Sequence, residues 1–332
     1  MKEKVTVAIV QHPPVFLNIE RSLDRARSLI AEAAAEGAEV IVFPETWLPG
    51  YPLWLDAAPG AALWDHPPAK ALYRILVENA MAIPGEHLDA LLEAAGDGAA
   101  HVVMGAHERA GGTLYNTIVY LNPDGQTYSI HRKLMPTYTE RLVWGRGDGS
   151  TLDVVTTDYG NLGGLICWEH WMPLARAAMH ARHETIHVAQ WPWAKELHQI
   201  ASRHYAFEGQ CFVLVAGSVL TKEDVLEGYD SLGVDSEARQ ILEEIPGEAE
   251  TSLLKGGSAI IGPDTSYVVE PVLEEACILY ADLALGRVVE GHLTLDTDGH
   301  YSRPDVFHLE VNDAPQPRIA FRSEAASGQE ES

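Results

Sequence analysis

The chain has 332 residues, 46% of them hydrophobic, which is enough to bury a sizeable core in one large or two ordinary globular domains. Acidic residues number 48 and basic residues 23, and the net charge of −25 repels phosphate backbones and anionic lipids, so we expect neither nucleic acid nor a membrane as a partner. The cysteines Cys167, Cys211 and Cys277 are odd in number and show no paired spacing, which favours a reducing compartment over a disulfide framework. Because no apolar stretch reaches membrane-spanning length and no cleavage-site pattern follows the first apolar run, we predict a cytoplasmic protein.

The first part of the chain predicts a strand, a helix and a second strand. Residues 5–10 are rich in β-branched side chains, apolar residues then recur at helical spacing from Ile19 to Ala33, and residues 40–43 form another apolar run. This order predicts a parallel pair of strands. It places Glu45 just beyond the carboxyl end of a strand, where α/β folds usually hold their chemistry.

Strands and helices continue to alternate along the rest of the chain, which predicts an α/β fold. Strands are predicted at residues 101–106, 115–121, 127–131, 163–167, 185–189, 212–216, 258–261 and 276–280, and helices at residues 67–81, 173–181 and 195–209. Residues 1–312 are predicted to form one domain, and residues 313–332 have the composition of a disordered tail.

Residues 220–255 interrupt this pattern with an acidic insertion. It holds a short helix ending near Glu244, for which Asp235 or Ser236 is the expected cap. Because charged runs usually face water, we interpret the insertion as a surface excursion in preference to a lid over the site.

A cysteine at a strand-to-helix junction is the main chemical signal in the sequence. Residues 163–166 form an apolar strand end, and Cys167 follows directly. A thiol needs activation at neutral pH, and two other segments offer it: Glu45 follows a strand in Phe43-Pro44-Glu45, and Lys133 ends the run His131-Arg132-Lys133.

The three segments together resemble the nitrilase superfamily of carbon-nitrogen hydrolases, in which a catalytic Glu, Lys and Cys occur in this order. The run Cys167-Trp168-Glu169-His170, the sequence Pro-Gly-Tyr-Pro at residues 49–52 and residues 299–306 resemble the nitrilase branch in particular. The resemblance implies a four-layer αββα sandwich and a homodimer or larger spiral oligomer. It also implies hydrolysis of a small nitrile to a carboxylic acid and ammonia through a cysteine thioimidate and thioester, with no metal or cofactor.

The resemblance also assigns roles to residues. Glu45 is the expected general base, Lys133 the expected cation and Cys167 the nucleophile. Lys133 would acidify the thiol while the carboxylates oppose that effect, so we interpret Glu45 and Cys167 as a proton-transfer pair. Glu140, seven residues after Lys133, is expected to hold that lysine, the alternative being a surface ion pair with Arg141.

Less is predicted for the other polar and aromatic residues near these motifs. Glu169 is interpreted as an anion in a first helical turn and is assigned no chemical step. Tyr51, Trp168 and Trp191 are the candidate substrate-binding residues, and their rings favour aromatic or arylaliphatic nitriles.

Three alternatives remain at this stage. The first is an amidase or N-carbamoyl hydrolase of the same superfamily. The second is a zinc metallohydrolase, because His183 and His187 match the motif H-E-x-x-H; that motif needs a helix, whereas residues 185–189 predict a strand, on which the two histidines would lie about 13 Å apart. The third comprises a peptidase that pairs Cys167 with one of the fifteen histidines, or a non-catalytic binding scaffold.

Overall fold

The computed structural model describes residues 2–316 and 319. Most of the predicted tail, residues 313–332, therefore lies outside the described residues. The strands of the described part are β1 (Lys4–Gln11), β2 (Val40–Val42), β3 (Met81–Ala82), β4 (His101–Ala110), β5 (Thr113–Leu121), β6 (Tyr128–Arg132), β7 (Val155–Thr157), β8 (Gly160–Ile166), β9 (Glu184–Gln190), β10 (Phe212–Ala216), β11 (Val219–Thr221), β12 (Ser252–Ile261), β13 (Tyr267–Leu273) and β14 (Cys277–Ala284).

Helices connect these strands. Within the described residues they are α1 (Ile19–Ala35), α2 (Trp54–Ala57), α3 (Pro67–Glu78), α4 (Glu86–Asp97), α5 (Pro173–His180), α6 (Glu196–Gly209), α7 (Lys222–Asp230), α8 (Arg239–Glu243) and α9 (Gly286–Gly291), with short 3-10 helices at Tyr138–Leu142, Gly149–Thr151 and Cys167–Trp171. Among the described residues, no helix is both long and apolar enough to cross a membrane.

The strands form two mixed sheets. The first has the order β14-β1-β2-β4-β5-β6, with β3 beside β4, and the second has the order β11-β12-β10-β9-β8-β7, with β13 beside β12. Strands β1, β2 and β4 are parallel, and Val7 lies opposite Val40 in the register, which confirms the predicted parallel pair. Strands β8, β9 and β10 are the corresponding parallel core of the second sheet.

Alternation along the strands explains how the sheets stack. In β1, Val7 and Ile9 face the second sheet, whereas Ala8 and Val10 pack in the cluster that includes the buried faces of α1 and α4. On the other side, α6 packs on β9 and β10. The layers are thus helix, sheet, sheet and helix, which confirms the predicted αββα sandwich.

Some elements differ from the prediction. Helix α3 ends at Glu78, three residues early, because the chain turns there and enters β3. Helix α4 was not predicted, although its buried side repeats at Leu88, Leu91 and Ala95. Strand β13 was not predicted. It contains Pro271, and proline is tolerated in strands at the edge of a sheet; β13 pairs with β12 only, in an irregular register.

The acidic insertion is not the surface excursion that we predicted. It folds into α7 and α8, and α8 packs against α3, so that Ile241 joins a buried cluster with Leu72. The charged residues of the insertion face outward, and its apolar residues are buried in the contact between α8 and α3. The predicted cap is also displaced. Helix α8 begins after Ala238, and the hydroxyl of Ser236, two residues before Ala238, accepts a hydrogen bond from the Ala238 N–H.

Candidate active site

Glu45 lies in the loop that leaves the carboxyl end of β2. The Phe43 N–H still pairs with Val103, and the Leu48 N–H donates to the Gly105 carbonyl at 3.0 Å, so the loop stays against β4. A Cβ atom at Gly105 would meet the Pro44 carbonyl oxygen at 2.0 Å, and therefore only glycine permits this approach. The carboxylate turns into the molecule and is 1% exposed.

Cys167 lies where β8 ends in the 3-10 turn Cys167–Trp171, as the junction in the sequence predicts. Its backbone has a φ of 53°, a left-handed conformation that a non-glycine residue adopts only where its surroundings enforce it. The side chain is buried and packs in the hydrophobic cluster that includes β8 and β9.

Lys133 brings the predicted residues together. Its N–H donates to the Asn116 carbonyl at 2.8 Å, which continues the pairing of β6 with β5. Its ammonium donates to Glu45 Oε1 at 2.9 Å and to Glu140 Oε2 at 2.8 Å. A carboxylate oxygen of each glutamate and the Cys167 sulfur lie within 4.8 Å of one another.

Glu140 is held from several sides. Its Oε2 accepts from the Thr137 N–H at 2.6 Å and its Oε1 accepts from the Tyr51 hydroxyl at 3.0 Å, in addition to the ammonium of Lys133. Arg141 instead donates to the Pro136 carbonyl at 3.1 Å. The surface ion pair that was the alternative for Glu140 is therefore not formed.

Burial dominates the electrostatics of this cluster. It raises the pKa of Glu45 to about 7, against the opposing pull of Lys133. Burial also raises the pKa of the Cys167 thiol, and the Glu45 carboxylate adds to that rise. Burial alone would lower the pKa of Lys133, but Glu45, Cys167 and Glu140 outweigh it and the net direction is upward. The resting cluster is thus a thiol beside an ammonium, with Glu45 able to change protonation near neutral pH.

The sequence did not point to Asn116, which is fully buried on β5. Its side-chain amide donates to Glu45 Oε1 at 2.7 Å, and its backbone carbonyl accepts from the backbone N–H of Lys133. Asn116 therefore positions both Glu45 and Lys133. The other oxygen of Glu45, Oε2, is buried and has no hydrogen-bond partner among the described residues. The sequence did contain one signal for Asn116, because a polar amide within the apolar run of residues 115–121 must be hydrogen-bonded if that strand is buried.

Glu169 has a buried role that the sequence also missed. It accepts from the Ile166 N–H at 2.6 Å, from the Leu134 N–H at 2.7 Å and from His131 at 3.0 Å. Burial would raise the pKa of this carboxyl, but His131 and the backbone donors lower it overall. The carboxylate therefore links the chain beside Lys133 to the chain beside Cys167.

A cavity of about 400 Å³ opens above Cys167. Two of the candidate substrate-binding residues, Tyr51 and Trp168, lie on its wall together with Trp193 and Leu254. Trp191 does not: it is fully buried, stacked between His170 at 4.7 Å and His198 at 4.4 Å. The chain turns at Pro192, so the second tryptophan of the pair faces the cavity and the first enters the core.

The last four residues of the H-E-x-x-H sequence lie on a strand, as predicted, and not on a helix. His183 precedes β9 and is 73% exposed beside Asp298, whereas His187 is buried within β9. The two rings do not share a face. Glu45, Glu140 and Cys167 offer three atoms in reach of one centre, but Lys133 already contacts both carboxylates there.

A sequence model described as carbon-nitrogen hydrolase matches residues 6–292, and the chain belongs to that family. Its relatives include nitrilase 2 of Arabidopsis thaliana, 37% identical over 99% of this chain and 94% of that protein. An aliphatic nitrilase of Sinorhizobium fredii is 38% identical over 96% of this chain and 99% of that protein. The solved structure of the Caenorhabditis elegans NitFhit protein has the same fold, with a TM-score of 0.69 and 17% identity over 96% of this chain and 69% of that one.

Proposed function

We propose that this protein is a nitrilase that hydrolyses a small nitrile to its carboxylic acid and ammonia. The observation that carries the proposal is the buried thiol of Cys167, which lies at the base of the cavity beside Glu45, Glu140 and the ammonium of Lys133. The relatives that bear the name nitrilase cover nearly the whole chain, which supports the nitrile as the substrate class.

In the first half of the reaction, Cys167 attacks the nitrile carbon. Glu45 takes the thiol proton as the sulfur-carbon bond forms, and the displaced electron pair moves to the nitrile nitrogen. The proton then passes to that nitrogen through the Glu45 and Lys133 pair, which gives a neutral thioimidate. The Lys133 ammonium and the Trp168 N–H, a backbone donor that lowers the pKa of the Cys167 thiol, can stabilise the developing negative charge.

In the second half, water completes the hydrolysis in two steps. Glu45 takes a proton from the first water as its oxygen bonds to the thioimidate carbon, and the nitrogen leaves as ammonia once it is protonated, so a thioester remains. A second water, activated in the same way, breaks the carbon-sulfur bond and releases the carboxylic acid and the thiol. The unpartnered Oε2 of Glu45 is available to accept from each water. Glu140 acts by holding Lys133 in place.

The wall of the cavity supports a preference for aromatic or arylaliphatic nitriles. The rings of Tyr51, Trp168 and Trp193 border the space above the sulfur. The test is release of ammonia and acid from matched aryl nitriles, arylaliphatic nitriles, aliphatic dinitriles, primary amides and N-carbamoyl amines. The highest kcat/KM is expected with an aryl or arylaliphatic nitrile. Faster turnover of an amide or carbamoyl compound than of every nitrile would move the protein to the amidase or carbamoylase branch.

The nucleophile is tested by matched cysteine variants. Cys167→Ala removes the attacking atom and is expected to abolish ammonia release with the circular dichroism spectrum unchanged. Cys277→Ala changes a half-buried cysteine on β14 and should retain wild-type activity. Activity that survives Cys167→Ala but is lost with Cys211→Ala would move the nucleophile and overturn the scheme.

Self-association into at least a homodimer is the expected assembly. Helices α5 and α6 expose large apolar side chains on the outer side of the second sheet, namely Leu174, Leu197, Ile200 and Phe207. An apolar face of this kind favours contact with another protein surface.

A further inference from the structure

A line of buried polar side chains runs from the carbonyl of the nucleophile to β9. His170 Nδ1 lies 2.8 Å from the Cys167 carbonyl oxygen, and His170 Nε2 lies 3.0 Å from His187 Nε2. His187 Nδ1 lies 2.8 Å from Glu184 Oε1, whose other oxygen accepts from the Tyr205 hydroxyl. None of the five residues is more than 4% exposed.

The chemistry of the groups fixes the number of protons in this line. A carbonyl only accepts, so His170 Nδ1 carries a hydrogen and donates to Cys167. Burial lowers the pKa of His170 to about 3, so its Nε2 is unprotonated and accepts from His187 Nε2. His187 Nδ1 and Glu184 Oε1 must then share one further proton. Burial raises the pKa of Glu184 to about 7, so this carboxyl keeps a proton at neutral pH to a far greater extent than an exposed glutamate does.

The neighbouring strand leaves room for this line. A Cβ atom at Gly163 on β8 would meet Glu184 Oε1 at 2.0 Å, so a larger residue there would displace the carboxyl group. His187 also stacks on the Tyr205 ring at 3.7 Å, which limits its rotation. The glutamate and second histidine of the H-E-x-x-H sequence thus have a defined place behind the nucleophile.

The line ends on the peptide bond that follows the nucleophile. This peptide is trans, and in a trans peptide the carbonyl and the N–H point in opposite directions. The Cys167 carbonyl is held by His170, and the N–H of the same peptide, that of Trp168, is a backbone donor that lowers the pKa of the Cys167 thiol. Holding the carbonyl therefore aims the N–H.

We propose that Glu184, His187 and His170 are positioning residues that aim the Trp168 N–H at the Cys167 sulfur and at the negative charge that develops beside it. The proposal rests on Cys167 being the nucleophile of the proposed function. It extends that function by three residues that do not touch the substrate, and it assigns a task to a sequence that otherwise resembles a zinc motif.

Paired substitutions separate positioning from simple loss of packing. His170→Asn keeps an amide that can donate to the Cys167 carbonyl, whereas His170→Phe keeps the ring volume and cannot donate. Glu184→Gln can still donate to His187, whereas Glu184→Leu cannot. We expect kcat to fall about 100-fold in His170→Phe while KM stays within about twofold, because loss of one backbone or side-chain donor to a developing anion lowers kcat by about that factor. In His170→Asn, kcat should recover at least tenfold relative to His170→Phe. Glu184→Gln should likewise exceed Glu184→Leu.

Two controls define the outcome. His101→Phe replaces a half-buried histidine of β4, whose ring packs on Tyr159 and not on the line to Cys167, and kcat should stay within about twofold of wild type. In the His170→Asn background the line is cut, so adding Glu184→Leu should lower kcat no further. Equal kcat values for His170→Asn and His170→Phe, or additive effects in the double variant, would overturn the proposal.

A second readout does not depend on nitrile turnover. The rate of alkylation of Cys167 by iodoacetamide, followed by mass spectrometry of its peptide, reports stabilisation of the thiolate by the Trp168 N–H. It should slow about tenfold in His170→Phe and recover in His170→Asn. If wild-type protein hydrolyses none of the tested nitriles, the proposed function fails while this measurement still decides the role of the line.

Discussion

Lys133 carries its charge in a place without water, and this makes the residue important for folding as well as for chemistry. Its side chain is fully buried, and its ammonium is the shared partner of Glu45 and Glu140. Removing one member of a buried ion pair leaves the others desolvated and uncompensated, which is more damaging than the loss of the contact alone.

We therefore predict two effects of Lys133→Ala. Ammonia release should be lost, and the free energy of unfolding in urea should fall by about 3–5 kcal/mol. The control is Lys70→Ala, which removes a lysine from an exposed pair with Asp65 and should leave both quantities close to wild type. Unchanged stability in Lys133→Ala would show that the carboxylates do not depend on this cation.

The pKa of Glu45 predicts the acid limb of the pH profile. As a general base, Glu45 must be ionised, and burial raises its pKa to about 7, so kcat/KM should fall as the pH drops below about 7. The amide of Asn116 donates to this carboxylate and lowers its pKa. Asn116→Leu should therefore move the acid limb to higher pH.

The matched control for that shift is Asn122→Ala. Asn122 donates to the hydroxyl of Thr127 in an exposed turn and has no contact with the cluster. Its acid limb should coincide with that of wild type in the same buffers. A limb that moves to lower pH in Asn116→Leu would contradict the role of the amide.

At the scale of elements, the strand ends were predictable from the sequence. Glu45 and Cys167 each follow an apolar run that ends a parallel strand, and Lys133 follows the strand predicted at residues 127–131. Asn116 and Glu169 could not be assigned in this way. Their roles depend on the register between β5 and β6 and on contacts across the sheets, which local periodicity does not encode.

The tryptophan pair shows another limit of the sequence. Trp191 and Trp193 are equally close to the motifs, and only the turn at Pro192 decides which one faces the cavity. The insertion was misjudged for a related reason. Its acidic composition describes its outer face, whereas the spacing of Val225, Tyr229 and Ile241 determines what it buries.

The insertion should therefore support the cavity wall. Its apolar face joins the cluster that contains Leu254, a residue on that wall. We predict that Ile241→Ala lowers the free energy of unfolding by about 2–5 kcal/mol and raises KM more than it lowers kcat. Urea unfolding and steady-state kinetics give both values.

The control for the insertion is Glu248→Ala, which changes an exposed residue of the same segment. It should alter neither quantity appreciably. A normal KM in a destabilised Ile241→Ala protein would separate the insertion from the cavity.

At the scale of the molecule, charge and apolar surface oppose each other. Each copy carries a net charge of −25, so two copies repel while the exposed side of α6 favours their contact. We predict that light scattering detects at least a dimer. Its dissociation constant should decrease as salt is raised from about 20 to about 200 mM, because the Debye length then shrinks to roughly 8 Å and the repulsion between the two copies is screened.

Matched surface variants locate the contact. Ile200→Glu on α6 should shift the protein towards the monomer, whereas Leu63→Glu, which changes an exposed leucine in the loop between α2 and α3, should not. A wild-type protein that is an active monomer at all concentrations would contradict the expected assembly.

The reacting groups come from different sheets, because Glu45 and Lys133 follow strands of the first and Cys167 follows a strand of the second. Their separation is therefore set by the thickness of the apolar layer between the sheets. A shift of about 1 Å between reacting atoms is enough to cost roughly 100-fold in rate. Tight packing at positions such as Ile118 and Val188 thus sets the distance between the reacting groups. Neither sheet alone carries a complete set of these groups.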